Sequence, residues 1–138
     1  MPAAKHIQGT VLKGGTAIFL ARLVNNSGSL ITQSSLSSGV YTISRLDPND
    51  PDSETAATGH VAATLTIASV IFDTLQRDEL WKNDEGQYLD ELGYNFKHQP
   101  DVSTNAAFAV AGTRYKINYR LTPSSGQVIV VAFEVGCL

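Results

Sequence analysis

Three histidines, His6, His60 and His98, one cysteine, Cys137, and thirteen acidic side chains are groups here of the types that bind a metal or move a proton. No two histidines stand two or four residues apart, the spacing that brings a pair of imidazoles to one face of a strand or helix for zinc. The densest acidic stretch is Asp47-Pro-Asn-Asp-Pro-Asp-Ser-Glu54. It alternates oxygen donors at Asp47, Asn49 and either Asp50 or Asp52, followed by Glu54, as a loop wrapped around calcium would. The glycine that bends an EF-hand loop is missing, the glutamate is not at the bidentate spacing, and Pro48 and Pro51 stiffen the path. A solvated, mobile loop is therefore expected over Asp47–Glu54, with calcium as the alternative. Ser103, His98 and Asp101 contain the three residue types of a hydrolase triad. Triads are made by geometry, and so local a group cannot easily reach it. There is no Gly-x-Ser-x-Gly elbow and no phosphate-cradling glycine loop; Gly14-Gly15 precedes a strand and reads as a bend. No catalytic, cofactor-binding or metal-ligating residue is assigned. The chain is expected to be non-enzymatic and free of cofactors.

Binding without chemistry has one candidate. Trp81, Tyr88, Tyr94 and Phe96 are interleaved with Asn83, Asp84 and Asn95, which supplies the flat rings and polar neighbours of a sugar platform. A carbohydrate-binding β-sandwich module is thus the alternative function. The competing structural role has Trp81 and Tyr94 plugging one end of the fold. A lone Cys137 rules out an internal disulfide and reads as a small apolar residue near the C-terminus, so packing alone must hold the fold.

These groups need a scaffold, and 138 residues suffice for one core. Residues 1–8 are expected to form a mobile N-terminal arm and 9–138 a single domain. For the arm, contact with a neighbouring subunit and a disordered tip both stay open. A net charge of −3 with no basic run argues against nucleic acid as a partner. The apolar runs 106–111 and 128–133 are too short to cross a bilayer, so no membrane is expected. Met1-Pro-Ala-Ala-Lys-His6 leads into no apolar segment of export type, which points to assembly in a cytoplasm.

The clearest elements lie near the C-terminus. In Arg114-Tyr-Lys-Ile-Asn-Tyr-Arg-Leu121 apolar Tyr115, Ile117, Tyr119 and Leu121 alternate with polar residues, the period of a strand with one dry face. The loop Thr122-Pro-Ser-Ser-Gly-Gln127 returns the chain to Val128-Ile-Val-Val-Ala-Phe-Glu-Val135, giving an antiparallel hairpin. A hairpin does not stand alone in water, so a second layer must cover it. The last strand is apolar on both faces, Val128, Val130 and Ala132 opposite Ile129, Val131 and Phe133. Either a cover inside the domain or another chain must shield it. Upstream, strands are expected over Thr16–Val24, Val40–Leu46, His60–Ile67 and Gly93–His98. Asn25–Ser29 reads as a turn into a hairpin arm at Leu30–Thr32. His60 falls on the wetter face of its strand. Asp73–Trp81 breaks the strand rhythm and is expected to form one short helical crossing capped by Asp73 or Thr74. Ala106–Ala111 fits a short strand or a buried turn. The sum is an all-β fold of about seven strands, an antiparallel β-sandwich of immunoglobulin-like size.

Two stretches carry a family likeness: Gly15-Thr-Ala-Ile-Phe-Leu-Ala-Arg-Leu-Val-Asn-Asn-Ser-Gly-Ser-Leu-Ile-Thr32, and Val70-Ile-Phe-Asp-Thr-Leu-Gln76 continuing through Leu80-Trp81, Asp84, Gly93-Tyr-Asn-Phe96 and His98. With the closing Tyr-Arg-Leu-Thr-Pro-Ser-Ser-Gly-Gln hairpin they resemble small proteins encoded among tailed-bacteriophage structural genes and in related bacterial regions. The first stretch is also similar to the immunoglobulin-like module at the N-terminus of some phage baseplate proteins. The resemblance covers most of the chain, through structural motifs; the N-terminal arm and the acidic loop match none of them. It implies an immunoglobulin-like β-sandwich in the virion, as a head-decoration, neck, tail or baseplate component. It further implies contacts with major structural proteins of the virion, in multiple symmetric copies assembled in the host bacterial cytoplasm.

Overall fold

The structure, a computed structural model, describes residues 7–25 and 27–138. In chain order the strands are β1 (Ile7–Val11), β2 (Phe19–Ala21), β3 (Leu36–Asp47), β4 (Asp50–Ala56), β5 (Ala63–Thr64), β6 (Ile71–Gln76), β7 (Tyr94–His98), β8 (Arg114–Pro123) and β9 (Ile129–Cys137). One helical turn, α1 (Ile67–Val70), precedes β6. A larger sheet has the order β1-β9-β8-β3-β4, with β5 also pairing to β3, and a smaller one the order β2-β7-β6. The chain is all-β in two layers, as its alternation predicts.

The expected hairpin sets the register of the larger sheet. Tyr115 lies opposite Val135 and Leu121 opposite Ile129, and on the other side of β8 Tyr119 faces Tyr41 and Ile117 faces Ile43. Side chains alternate across a strand, so Tyr115, Ile117, Tyr119, Leu121, Ile129, Val131, Phe133 and Val135 all point the same way and are buried. The smaller sheet meets them with Phe19, Ala21, Ile71 and Phe96. Rings dominate the seam: Phe96 meets Tyr119 edge-on at 4.8 Å and Phe19 tilts against Phe133 at 5.1 Å. With Cys137 buried and unpaired, these ring contacts bridge the two layers where a disulfide is lacking.

One sheet edge departs from the all-antiparallel expectation. β1 runs parallel to β9, Ile7 opposite Phe133 and Val11 opposite Cys137, so β9 is an interior strand of the sheet. Its hydrogen-bonding edge is covered from within the domain, while its outer face remains open and Val130 is 46% exposed. Ile7 and Gln8, expected in the arm, belong to β1; the rest of the arm, residues 1–6, lies outside the described residues.

Four further expectations change. Asp47–Glu54 is not a mobile loop: the chain turns between Asp47 and Asp50 and returns as β4, with Leu46 opposite Glu54. Glu54 pairs with Lys116, which rewards a strand in spite of the prolines. His60–Ile67 is not one strand. Ala57 donates to the Ile43 carbonyl, the Ile43 amide donates to the His60 carbonyl, and β5 resumes with Ala63 opposite Tyr41, so residues 57–62 bulge out of an otherwise continuous edge. Gly59 adopts φ +85°, and a Cβ there would strike the side chain of Asn105. The helical crossing moves upstream of Asp73, to α1; Asp73 and Thr74 lie in β6, and a single 3-10 turn at Glu79–Trp81 is capped by Asp78, which accepts from Leu80 N–H at 3.0 Å. Thr16–Val24 is a strand only over β2. Beyond it, Ile31 N–H donates to the Leu23 carbonyl and Val24 bridges Leu30, closing the expected hairpin around an Asn25 whose side-chain Oδ1 accepts from Ser27 and Ser29 amides. Ala106–Ala111 forms no strand: the chain bends there with Ala107 and Phe108 buried and the other four residues exposed.

Candidate functional site

Burial between the sheets brings together two of the three histidines. Tyr41 on β3 and Tyr119 on β8 point inward by strand alternation, and His98 at the end of β7 comes down on them from the smaller sheet. The Tyr119 hydroxyl and His98 Nδ1 share a hydrogen bond of 2.8 Å. His60, at the end of the turn within the 57–62 bulge, is only 2% exposed rather than on a wet face. Its Nε2 meets the Asn105 carbonyl at 2.8 Å and its Nδ1 the Tyr41 hydroxyl at 2.8 Å. A carbonyl only accepts, so Nε2 carries the proton and Nδ1 receives the one from Tyr41. Burial, helped by neighbouring His60, pushes His98 down to about 4. Burial likewise raises Tyr119, with Tyr41 adding to it, and raises Tyr41, with Asp101 adding to it. The cluster is a set of matched donors and acceptors holding a bulge and a loop to the core. Each tyrosine hydroxyl is engaged by an imidazole nitrogen inside the core.

The Ser103, His98 and Asp101 group does not assemble. Ser103 donates to Asp101 at 2.6 Å, while His98 turns to Tyr119. The Ser103 hydroxyl and amide lower the Asp101 carboxyl. In the acidic stretch, Asp47 and Asp50 accept from the amides of Asn49 and Asp52, which stiffens the β3–β4 turn. Among the described residues no three His, Cys, Asp or Glu side chains gather as a metal would require, and no helix is long and apolar enough to cross a membrane.

The aromatic platform is dismantled by burial. Trp81 is 6% exposed, Tyr94 1% and Phe96 0%; only Tyr88 of the four offers a ring to solvent. Trp81 packs on Tyr94 at 5.7 Å, and the two bury each other outside the main core cluster.

That packing belongs to a larger construction, the excursion from Arg77 to Gly93 between β6 and β7. Asp90 is its hub. It accepts from the amides of Leu92 and Gly93, from Trp81 Nε1 at 3.3 Å and from Arg22 at 2.6 Å. Desolvation works to raise this carboxyl, yet those four donors hold it well below the usual range. At the other end Asp78 caps the 3-10 turn and accepts from the Tyr94 hydroxyl at 2.6 Å; burial, helped by this bond, pushes Tyr94 up to about 12. The Asn83 side-chain oxygen accepts from Glu85 and Gln87 amides, and Leu89 N–H donates to the Trp81 carbonyl at 2.7 Å. The Arg77 guanidinium lies 4.8 Å over the Tyr88 ring. On this braced frame Leu80, Tyr88, Leu89 and Leu92 face solvent. Sequence patterning missed the frame because side chains bonding to the backbone, rather than any periodic repeat, hold it together; the Asp-x-x-Gly and Asn-x-x-Gly spacings at Asp90–Gly93 and Asn83–Gly86 were its only signal.

No family model matches the chain, and no curated protein or solved structure matches it.

Proposed function

We propose that this chain is an immunoglobulin-like β-sandwich acting as a non-enzymatic structural component of a tailed-phage virion, held by protein–protein contacts in a symmetric assembly. The observation that carries the contact role is the braced Arg77–Gly93 excursion. Four large apolar side chains stand in solvent on a loop whose own hydrogen bonds prevent it from folding them away. A soluble chain keeps such a group exposed at a cost in solubility that a partner surface removes. The phage assignment rests on the sequence resemblance described above, and with it the expected partners, the major structural proteins of the virion.

Two features support the immunoglobulin-like part. The orders β9-β8-β3-β4 and β2-β7-β6 follow the variable-type arrangement, in which the last strand lies beside the penultimate one and the second beside the fifth of the seven basic strands. Tyr115, near the start of β8, accepts from the Ala109 and Val110 amides at 3.2 and 3.0 Å, as the tyrosine corner of that fold does. Two residues on, where antibody domains carry the second bridging cysteine, stands fully buried Ile117.

Mass spectrometry of purified particles, with copy number, tests the function. The expected result is co-purification at a fixed stoichiometry set by the symmetry of a shell or tail ring. Absence from washed particles, or a copy number that varies between preparations, overturns it.

A further inference from the structure

Acidic residues are spread unevenly. Between Arg77 and Leu92 stand six acids and two bases, a net of −4, while the chain as a whole carries −3, so everything else sums to +1. Within that segment Glu79 pairs with Lys82, Glu91 with Arg77 and Asp90 with Arg22. Asp78 is occupied by Tyr94 and Leu80. Asp84 and Glu85 make no ion pair among the described residues and are exposed, beside the solvent-facing Tyr88 and Leu89.

A complementary surface lies on the outer face of β3, β8 and β9, where Arg120 and Val130 are exposed and the 57–62 bulge reaches only as far as Thr42, whose hydroxyl accepts from the Ala62 amide. Register places Val40, Arg120 and Val130 in one row across β3, β8 and β9, with Thr42, Asn118 and Ala132 in the next. Arg120 is exposed and makes no ion pair among the described residues, whereas the flanking Lys116 and Arg114 are matched by Glu54 and Glu134. This face presents one uncompensated cation among small and apolar side chains. The excursion presents two uncompensated anions among leucines and a tyrosine.

We infer that these two surfaces are the halves of one contact between copies of this chain, the Arg77–Gly93 excursion of one copy seating on the outer β3-β8-β9 face of the next. One molecule cannot make the contact with itself, because that face points away from the smaller sheet from which the excursion springs. The two halves are different surfaces, so the contact is heterologous and propagates head to tail, closing into a ring or continuing as a filament. The inference rests on the assembly role proposed above and supplies one of its partners, a second copy. Opposite charges within an apolar surround set register and orientation, and their attraction weakens with salt.

Charge exchange in the full-length chain tests this. Sedimentation equilibrium is expected to show wild-type protein associating at low salt and dissociating as salt rises. Arg120→Glu alone and the double variant Asp84→Lys/Glu85→Lys alone are each expected to associate about tenfold or more weakly. An equimolar mixture of the two variants is expected to regain association, since the new acidic face then meets the new basic excursion and the native pairing survives on the remaining halves. Misfolding would not be rescued by mixing, and circular dichroism of each variant shows whether its sheet content is intact. Wild-type protein that stays monomeric at low salt, variants that associate unchanged, or a mixture no stronger than its components each overturn the inference. A wild-type monomer that is nonetheless found in particles at fixed stoichiometry sinks the head-to-tail contact and leaves the assembly role standing. Self-association with rescue, in a protein absent from particles, does the reverse.

Discussion

Acid should loosen this sandwich through His98. In the folded chain burial and His60 hold the imidazole near 4, while in the unfolded chain it returns to its ordinary 6.5. The unfolded form therefore takes up the proton first as pH falls. The stabilising contribution is intact above about 6.5, declines as pH drops toward 4 and is exhausted below it. A gap of that size corresponds to at most about 3.4 kcal/mol at ~1.36 kcal/mol per tenfold change in proton affinity. The ring is not sealed from water, and screening reduces the expected loss to about 2 kcal/mol. Carboxylates also begin to protonate near pH 4, so the informative quantity is a difference between proteins. His98→Gln keeps an acceptor within reach of the Tyr119 hydroxyl and does not titrate. Urea unfolding of both proteins near pH 7 and near pH 4 should show the wild type losing about 2 kcal/mol more than the variant. Equal losses in the two proteins would show that His98 does not carry its proton affinity as its surroundings dictate, and the described packing around Tyr41 and Tyr119 would be wrong.

Other substitutions probe the remaining joints. Tyr115→Phe strands the Ala109 and Val110 amides and should cost about 1 to 3 kcal/mol in urea unfolding with little change in m-value. Gly59→Ala meets both a left-handed backbone and the Asn105 side chain, and should lower stability by at least about 1 kcal/mol while raising hydrogen exchange through residues 57–62. Trp81→Ala should destabilise the protein by about 3 to 5 kcal/mol, because the indole is packing and not a ligand surface; full stability together with loss of retention on a polysaccharide column would restore the sugar platform. Asp90→Ala removes the hub of the excursion and should make the chain between Arg77 and Gly93 far more sensitive to limited proteolysis, with the β8–β9 hairpin still protected.

Where one face of a strand is wet and the other dry, as in β8, the sequence discloses both the element and its inward residues. Val40–Leu46 was legible for the same reason, and Tyr94–His98 from its alternating rings, although Asn95 between them is buried as well. The pattern misleads at His60–Ile67, where Val61, Ala63 and Leu65 alternate as a strand would. Gly59 and an Ala62 at φ +47° instead swing the chain outward, and His60 is drawn in by Tyr41 and Asn105. Such long-range partners leave no local trace. Asp47–Glu54 looks like a loop by composition and becomes β4 because β3 offers an open edge and Lys116 a counter-charge. The aromatic stretch exposed its ring content but not its burial, which depends on Asp90 and Arg22 meeting across 68 positions. The parallel seat of β1 was equally hidden, since nothing in Ile7–Val11 names its neighbour.

That seat has a consequence for how the molecule is made. The first strand and the last lie side by side although nearly the whole chain separates them in sequence, so their pairing closes the longest loop in the fold and is expected among the slowest steps. Until the residues of β9 have been synthesised, β8 has a bare flank and β1 has nothing to join. A nascent chain therefore waits with an unfinished seam, and a chaperone or an early encounter with an assembling neighbour would act in that interval.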